Sequence, residues 1–161
     1  MVKKISFIIL FLLFIQSYLS GVEPLKPKTG ELAVNFSILD LEGKPVSPFD
    51  YKDKPVILFF WTTWCPFCRA ELRELQNIYP ELVKEGWGLF AINIGESGYK
   101  IDNFLKRYFI SFQVLLDTDA NVAKAYKIIG VPTYILIDKK GYIVFKDNYF
   151  PKNTYKKLIL P

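Results

Sequence analysis

The feature that most constrains the fold is a pair of cysteines placed where an apolar run gives way to a helical pattern. Cys65-Pro66-Phe67-Cys68 follows the apolar run Val56–Trp61 closely, and these are the only two cysteines in the 161 residues. A C-x-x-C pair at a strand-to-helix transition is typical of a redox dithiol. A purely stabilising disulfide is the weaker interpretation, because so small a loop removes little entropy from the unfolded chain.

The chain contains no histidine. This excludes imidazole ligands, a His-assisted nucleophile and C-x-x-C-H haem attachment; the residue after Cys68 is Arg69. A structural zinc site would need two further ligands, and no other cysteine or histidine is present to supply them. We therefore predict no metal site and no separate cofactor, with the Cys65–Cys68 disulfide as the redox centre.

Apolar runs alternate with helical periodicity along the chain. This alternation predicts an α/β fold, with a central mixed β-sheet flanked by helices. The run Val56–Trp61 is apolar on both faces, which indicates a central strand covered on both sides. The predicted strands are 33–39, 45–46, 56–61, 87–94, 112–116, 132–137 and 142–146, and the predicted helices are 66–85, 101–108, 121–127 and 153–160.

The N-terminus has the pattern of a targeting segment. Lys3 and Lys4 precede an apolar stretch, so residues 1–21 are predicted to be a signal peptide or a signal-anchor, with residues 5–19 as the membrane tether in the second case. The sequence leaves cleavage or retention open. Residues 22–31 form a Pro-rich linker, and residues 32–161 form one domain. The domain is predicted to be exported, to the periplasm or the outer face of the cytoplasmic membrane.

The net charge of +5 is scattered along the chain, and the longest basic clusters are pairs such as Lys139-Lys140. Nucleic-acid binding needs a basic stripe or face. We therefore predict no nucleic-acid partner.

The cysteine spacing predicts distinct roles for the two thiols. Cys65 is expected at the helix N-terminus, where unpaired N–H groups and the helix dipole stabilise a thiolate. Cys68, one turn later, is then close enough to resolve a mixed disulfide formed at Cys65. Trp64, beside Cys65, is expected to be exposed on the substrate surface.

Trp61-Thr62-Thr63-Trp64-Cys65-Pro66-Phe67-Cys68 resembles the W-x-x-W-C-x-x-C signature of thioredoxin-fold proteins. More narrowly, the chain resembles the TlpA/ResA family of exported thiol–disulfide oxidoreductases. The matching segments are 35–44, 93–97, 115–119 and 130–133. The resemblance implies a thioredoxin-like fold with an N-terminal β-hairpin and an inserted helix–strand of the TlpA/ResA type.

The resemblance also implies roles for individual residues. Pro132 is expected to be cis and to face the dithiol, leaving the Val131 backbone to pair with a substrate strand. Glu71 is a candidate catalytic residue that sets proton traffic at the cysteines, against the alternative of a solvated glutamate favoured by the helix dipole. The predicted substrate-binding residues are Trp64, Pro66, Phe67, Val131, Pro132, Thr133 and Glu96.

The resulting functional prediction is an extracytoplasmic disulfide reductase. It would act on protein disulfides, draw electrons from a membrane thiol donor, and serve cytochrome c maturation, which is the family's best-known use. One alternative is a peroxiredoxin-like thiol peroxidase, although the proline expected four residues before Thr62 is Leu58. Another is a Cu(I)-binding dithiol module. The unusual Pro66-Phe67 dipeptide leaves the redox potential, and hence the direction of electron flow, open.

Overall fold

The computed structural model describes residues 30–51 and 53–159. The predicted signal segment 1–21 and residues 22–29 of the predicted linker lie outside these described residues. Within the two described ranges, no helix combines the length and the apolarity that crossing a bilayer requires. The hydrogen-bonded structure includes Gly30, whose N–H donates to the carbonyl of Ile143 over 2.7 Å.

The chain forms seven strands and three α-helices in the described ranges. The strands are β1 (Ile38–Asp40), β2 (Pro45–Val46), β3 (Val56–Trp61), β4 (Gly88–Ile94), β5 (Gln113–Asp117), β6 (Thr133–Ile137) and β7 (Ile143–Asp147). The helices are α1 (Pro66–Lys84), α2 (Gly98–Leu105) and α3 (Asn121–Ala125). Short 3₁₀ helices occupy Pro48–Asp50 and Tyr155–Ile159.

All seven strands join one mixed sheet in the order β2-β1-β5-β4-β3-β6-β7. β3, β4 and β5 are parallel neighbours, and β6 pairs antiparallel with β3. The predicted mixed sheet and N-terminal hairpin are confirmed, and α2, β5 and α3 lie between β4 and β6 in the chain. Because β3 and β4 are parallel, their C-terminal ends meet at one edge of the sheet, and this edge carries the cysteines.

Two apolar cores cover the two faces of the sheet, as the sequence of β3 predicts. One core contains Ile57, Phe59 and Trp61 together with the inner face of α1. The other contains Leu58 and Phe60, packed against α3 and its flanking residues. Both cysteines belong to the first core, so the redox centre lies at the boundary between a packed interior and the surface.

The structure corrects the extent of three predicted elements. The first strand is limited to Ile38–Asp40 instead of 33–39, because the chain before it pairs elsewhere: Leu32 forms an isolated bridge with Tyr142. The last helix is a 3₁₀ helix over Tyr155–Ile159. Helix α2 begins three residues before the predicted start, since the Ser97 side chain caps it by accepting from the Lys100 N–H.

Candidate active site

The turn between β3 and α1 places the two cysteines at a helix N-terminus. Cys65 is the N-cap of α1, and its sulfur accepts a hydrogen bond from the Cys68 N–H over 3.1 Å. Pro66 occupies the first position of the helix, where its missing N–H costs nothing. The cysteines form a disulfide across 5.3 Å between their Cα atoms. An N–H group and a helix dipole in this position can stabilise a thiolate once the disulfide is reduced.

Both cysteines are buried, but to different degrees. Cys68 is fully buried, whereas Cys65 keeps 3% of its residue surface exposed. The aromatic side chains on either side of Cys65 are far more open, with Trp64 at 64% and Phe67 at 75%. Cys65 is thus the outer of the two cysteines, flanked by Trp64 and Phe67, which form an exposed aromatic rim.

The loop that ends at β6 faces the dithiol. The Val131–Pro132 peptide bond is cis, as predicted, and the Val131 carbonyl oxygen lies 3.6 Å from the Cys65 sulfur. Within the loop, the Thr133 hydroxyl donates to the Gly130 carbonyl over 2.7 Å. The structure thus brings Val131, Pro132 and the cysteine pair together.

Asn148 holds this loop from the segment after β7, and the sequence analysis missed it. Its amide nitrogen donates to the Pro132 carbonyl over 2.5 Å and to the Thr133 hydroxyl over 3.1 Å. No local pattern around Asn148 indicates this role. The contact arises only because the terminal hairpin returns the chain to the cis-proline loop.

Glu96 lies behind the turn that precedes Cys65 and is 7% exposed. One carboxylate oxygen accepts from the Thr63 N–H and the other from the Thr63 hydroxyl, each over 2.7 Å. The Asn93 amide and the Lys100 ammonium complete its contacts at 2.9 and 2.6 Å. Through these contacts Glu96 fixes the backbone of the turn.

The pKa of Glu96 reflects a competition between burial and hydrogen bonding. Burial raises it, but the hydrogen bonds from Lys100, from the N–H and hydroxyl of Thr63 and from Asn93 outweigh that effect. The pKa therefore lies below the ordinary 4.5, and the group is ionised at neutral pH. Arg69 secures the same turn from the other side, since its Nε donates to the Thr63 carbonyl over 3.1 Å.

Glu71 lies half-buried on α1, one turn beyond Cys68. Its carboxylate accepts a hydrogen bond from the hydroxyl of Tyr134 over 2.5 Å. Tyr134 was not identified from the sequence. A signal was available, because a buried tyrosine in an otherwise aliphatic strand needs a partner for its hydroxyl.

Among residues 30–51 and 53–159, no cluster of three or more cysteine, aspartate or glutamate side chains is placed to hold a metal ion. The centre consists of two cysteines, a glutamate one helical turn after the inner cysteine, and a cis-proline loop facing the outer one. Such an arrangement can exchange a dithiol for a disulfide without an added group.

Comparisons with known proteins agree with this chemistry. Residues 29–146 match the AhpC/TSA family. The chain is 37% identical to the thiol-disulfide oxidoreductase ResA of Bacillus cereus over 129 residues, which cover 80% of this chain and 73% of that protein. It is 40% identical to ResA of Bacillus subtilis over 115 residues, covering 71% and 64% of the two chains.

A solved structure shows the same fold. The thioredoxin domain of a thiol-disulfide oxidoreductase from Bacteroides vulgatus superposes with a TM-score of 0.73 at 28% identity, covering 82% of this chain and 98% of that one. The cysteine pair, the cis-proline loop and these relatives lead to one assignment. The chain belongs to the AhpC/TSA family, as a ResA-like redoxin of thioredoxin fold, and is a thiol–disulfide oxidoreductase.

Proposed function

We propose that this oxidoreductase acts outside the cytoplasm as a reductase of protein disulfides, with apocytochrome c among its substrates. The observation that carries the disulfide-exchange chemistry is the asymmetry of the two cysteines. Cys65 caps α1 beside an exposed aromatic rim and the Val131 carbonyl and keeps 3% exposure, while Cys68 is fully buried one turn into the helix. An outer nucleophile and an inner resolving thiol are what two-step exchange with a large substrate requires.

The proposed reaction has two exchange steps. The Cys65 thiolate attacks one substrate sulfur, so that a mixed disulfide forms, the substrate S–S bond breaks, and the leaving sulfur takes a proton. The Cys68 thiol then loses its proton and attacks the Cys65 sulfur, which releases the second substrate thiol. Two electrons pass to the substrate, and the Cys65–Cys68 disulfide is regenerated.

Glu71 is proposed as the base for the second step. Cys68 is fully buried, so bulk water cannot take its proton directly. Glu71 follows Cys68 by three residues, which places the two side chains on the same face of α1. Its carboxylate would receive the proton from Cys68 and pass it to the departing substrate thiolate.

Substrate binding is proposed to use the cis-proline loop and the aromatic rim. An extended substrate segment would pair with the Val131 backbone, because Pro132 offers no N–H and the Val131 carbonyl lies beside the Cys65 sulfur. Trp64, Pro66 and Phe67 would cover the apolar residues beside the substrate cysteine. Thr133 and Glu96 would contribute indirectly, by fixing the loop and the turn.

Residues 1–21 support the proposed location at the outer face of the membrane or in the periplasm, since they have the pattern of a secretory signal or signal-anchor. A membrane thiol protein is the proposed electron donor that returns the disulfide to the dithiol. No other cofactor is proposed.

The test is a stoichiometric reduction. We expect the reduced protein to convert one C-x-x-C-H peptide disulfide to two thiols per Cys65–Cys68 pair, and Cys65→Ser to convert none. Peptide reduction and hydrogen peroxide consumption are measured side by side, together with a Cu(I) titration of the dithiol. Fast peroxide turnover with no peptide reduction would favour the peroxidase alternative, and tight Cu(I) binding without exchange would favour the copper module.

The aromatic rim makes a separate prediction. Replacing Trp64 and Phe67 together by alanine is expected to lower kcat/KM for a protein disulfide about tenfold, as for the loss of an apolar interface anchor. Reaction with dithiobis(nitrobenzoate), which is too small to need the rim, should change less than about twofold. Tyr142→Ala is the matched control, because this exposed tyrosine lies just before β7, beyond the end of β6 that is far from Pro132. Equal losses on both substrates would contradict a binding role.

A further inference from the structure

Tyr134 is a polar group in the apolar core beneath the dithiol. It lies in β6, in register with Phe59 of β3, and is fully buried. Its ring stacks on Phe59 with 4.8 Å between centroids, and Phe150 packs beside it at 5.6 Å. The same core contains Cys65 and Cys68. Packing on this scale fixes the position of the phenol oxygen.

The Tyr134 hydroxyl has one acceptor, the Oε2 atom of Glu71. Burial, followed by the hydrogen bond and the charge of Glu71, raises the pKa of Tyr134 far above its ordinary value of 10. The phenol therefore keeps its proton and donates at every physiological pH. Among the described residues, the other carboxylate oxygen of Glu71 has no hydrogen-bond partner.

We propose that Tyr134 is a positioning residue for the resolving step, whose buried hydroxyl holds the Glu71 carboxylate inward on α1, one turn beyond Cys68. This inference rests on the proposed role of Glu71 as the base. A glutamate has three rotatable bonds and, on a half-buried helical face, would otherwise extend toward water. Anchoring one oxygen leaves the other available for proton exchange with Cys68, which lies one helical turn earlier on α1.

The same hydrogen bond ties the two halves of the site together. Glu71 is on the helix that carries the cysteines, and Tyr134 is two residues after Pro132 of the loop that faces them. Movement of β6 relative to α1 would therefore displace the carboxylate. Tyr134 affects the reaction through Glu71 and through this alignment, without touching the substrate.

The experiment uses the reduced full-length protein and dithiobis(nitrobenzoate), which reports the two exchange steps separately. Attack by Cys65 releases one nitrothiobenzoate and leaves the other on Cys65, and attack by Cys68 then releases the second. Tyr134→Phe removes only the hydroxyl and keeps the ring. We expect it to slow the second release about tenfold, as for loss of one charge-assisted hydrogen bond, while the first release is unchanged.

Tyr155→Phe is the matched control. Tyr155 lies in the same core and donates to Glu85 over 2.9 Å, but Glu85 is at the far end of α1. This variant loses the same kind of hydrogen bond and is expected to leave both releases unchanged. If Tyr155→Phe slowed the second release as much as Tyr134→Phe does, the cause would be general destabilisation of the core. That result would overturn the inference.

Glu71→Gln separates the inference from the proposed function. We expect it to slow the second release on the order of 10²-fold, as for loss of a general base, and to abolish any further effect of Tyr134→Phe in the double variant. Additive effects, or an unchanged second release in Tyr134→Phe alone, would overturn the role of Tyr134 only. A normal second release in Glu71→Gln would overturn both that role and the base assigned to Glu71.

Discussion

Cys68→Ser is expected to accumulate a covalent complex with a C-x-x-C-H peptide disulfide, joined through Cys65. The buried Cys68 sulfur is held behind Cys65 at the disulfide spacing of 5.3 Å between Cα atoms. Such an intramolecular thiol has a very high effective concentration, so its loss should slow resolution by roughly 10³-fold or more. Mass spectrometry of the unreduced reaction would identify the complex and the bond.

The reciprocal variant provides the control. Cys65→Ser leaves only the Cys68 thiol, which is fully buried, and should form no complex with the same peptide. Alkylation of Cys68→Ser with iodoacetamide at neutral pH must show that Cys65 is still reactive. A reactive Cys65 that forms no complex, or a complex formed through Cys68, would contradict the order of attack proposed here.

The part of the site that depends on neighbouring residues was predictable from the sequence. Strand β3, the turn that ends at Cys65 and helix α1 are consecutive in the chain, over 29 residues from Val56 to Lys84. The apolar run, the cysteine spacing and the helical periodicity therefore all predict the same strand–turn–helix unit. The cis bond before Pro132 followed from the family resemblance. In the structure the Val131 carbonyl oxygen lies 3.6 Å from the Cys65 sulfur, so the loop faces the dithiol.

The contacts that hold the site in place could not be predicted in this way. Glu71 and Tyr134 are 63 residues apart, and Thr63 and Glu96 are 33 apart. Each pair meets only after the parallel crossovers have set the order of the strands. The sequence therefore identified Glu71 and Glu96 as candidates but not their partners, and a hydrogen-bonded carboxylate cannot be told from a solvated one without its partner.

Asp117 shows the same limit at the start of a short helix. Its two carboxylate oxygens accept from the N–H groups of Val122 and Ala123 over 3.0 and 2.8 Å, and the group is 2% exposed. A side chain four residues before the helix thereby satisfies the first turn of α3, while the residue at the cap position, Ala120, makes no side-chain bond. N-cap preferences concern the residue immediately before the helix, so they do not identify Asp117 as the capping side chain.

Glu96→Gln is expected to lower the free energy of unfolding at neutral pH by about 3 kcal/mol, because the carboxylate is 7% exposed and serves two donors of Thr63 and one of Asn93. Glutamine keeps one acceptor oxygen and turns an NH₂ group toward a donor. Glu81→Gln is the control: Glu81 pairs with Lys156 at the surface, 56% exposed, and should cost less than about 1 kcal/mol.

The difference in the free energy of unfolding between wild type and Glu96→Gln should depend on pH. This dependence shows whether the ionised carboxylate stabilises the turn or only its packing does. The pKa of Glu96 in the folded protein lies below its ordinary 4.5, so the folded state binds fewer protons at this group than the unfolded chain does. The stabilisation is therefore complete above about pH 4.5 and is lost as the pH falls through the lower, folded-state pKa. Urea unfolding across this range should show wild type and Glu96→Gln converging in acid. A difference that stays constant with pH would mean that the side chain stabilises the turn by its shape alone.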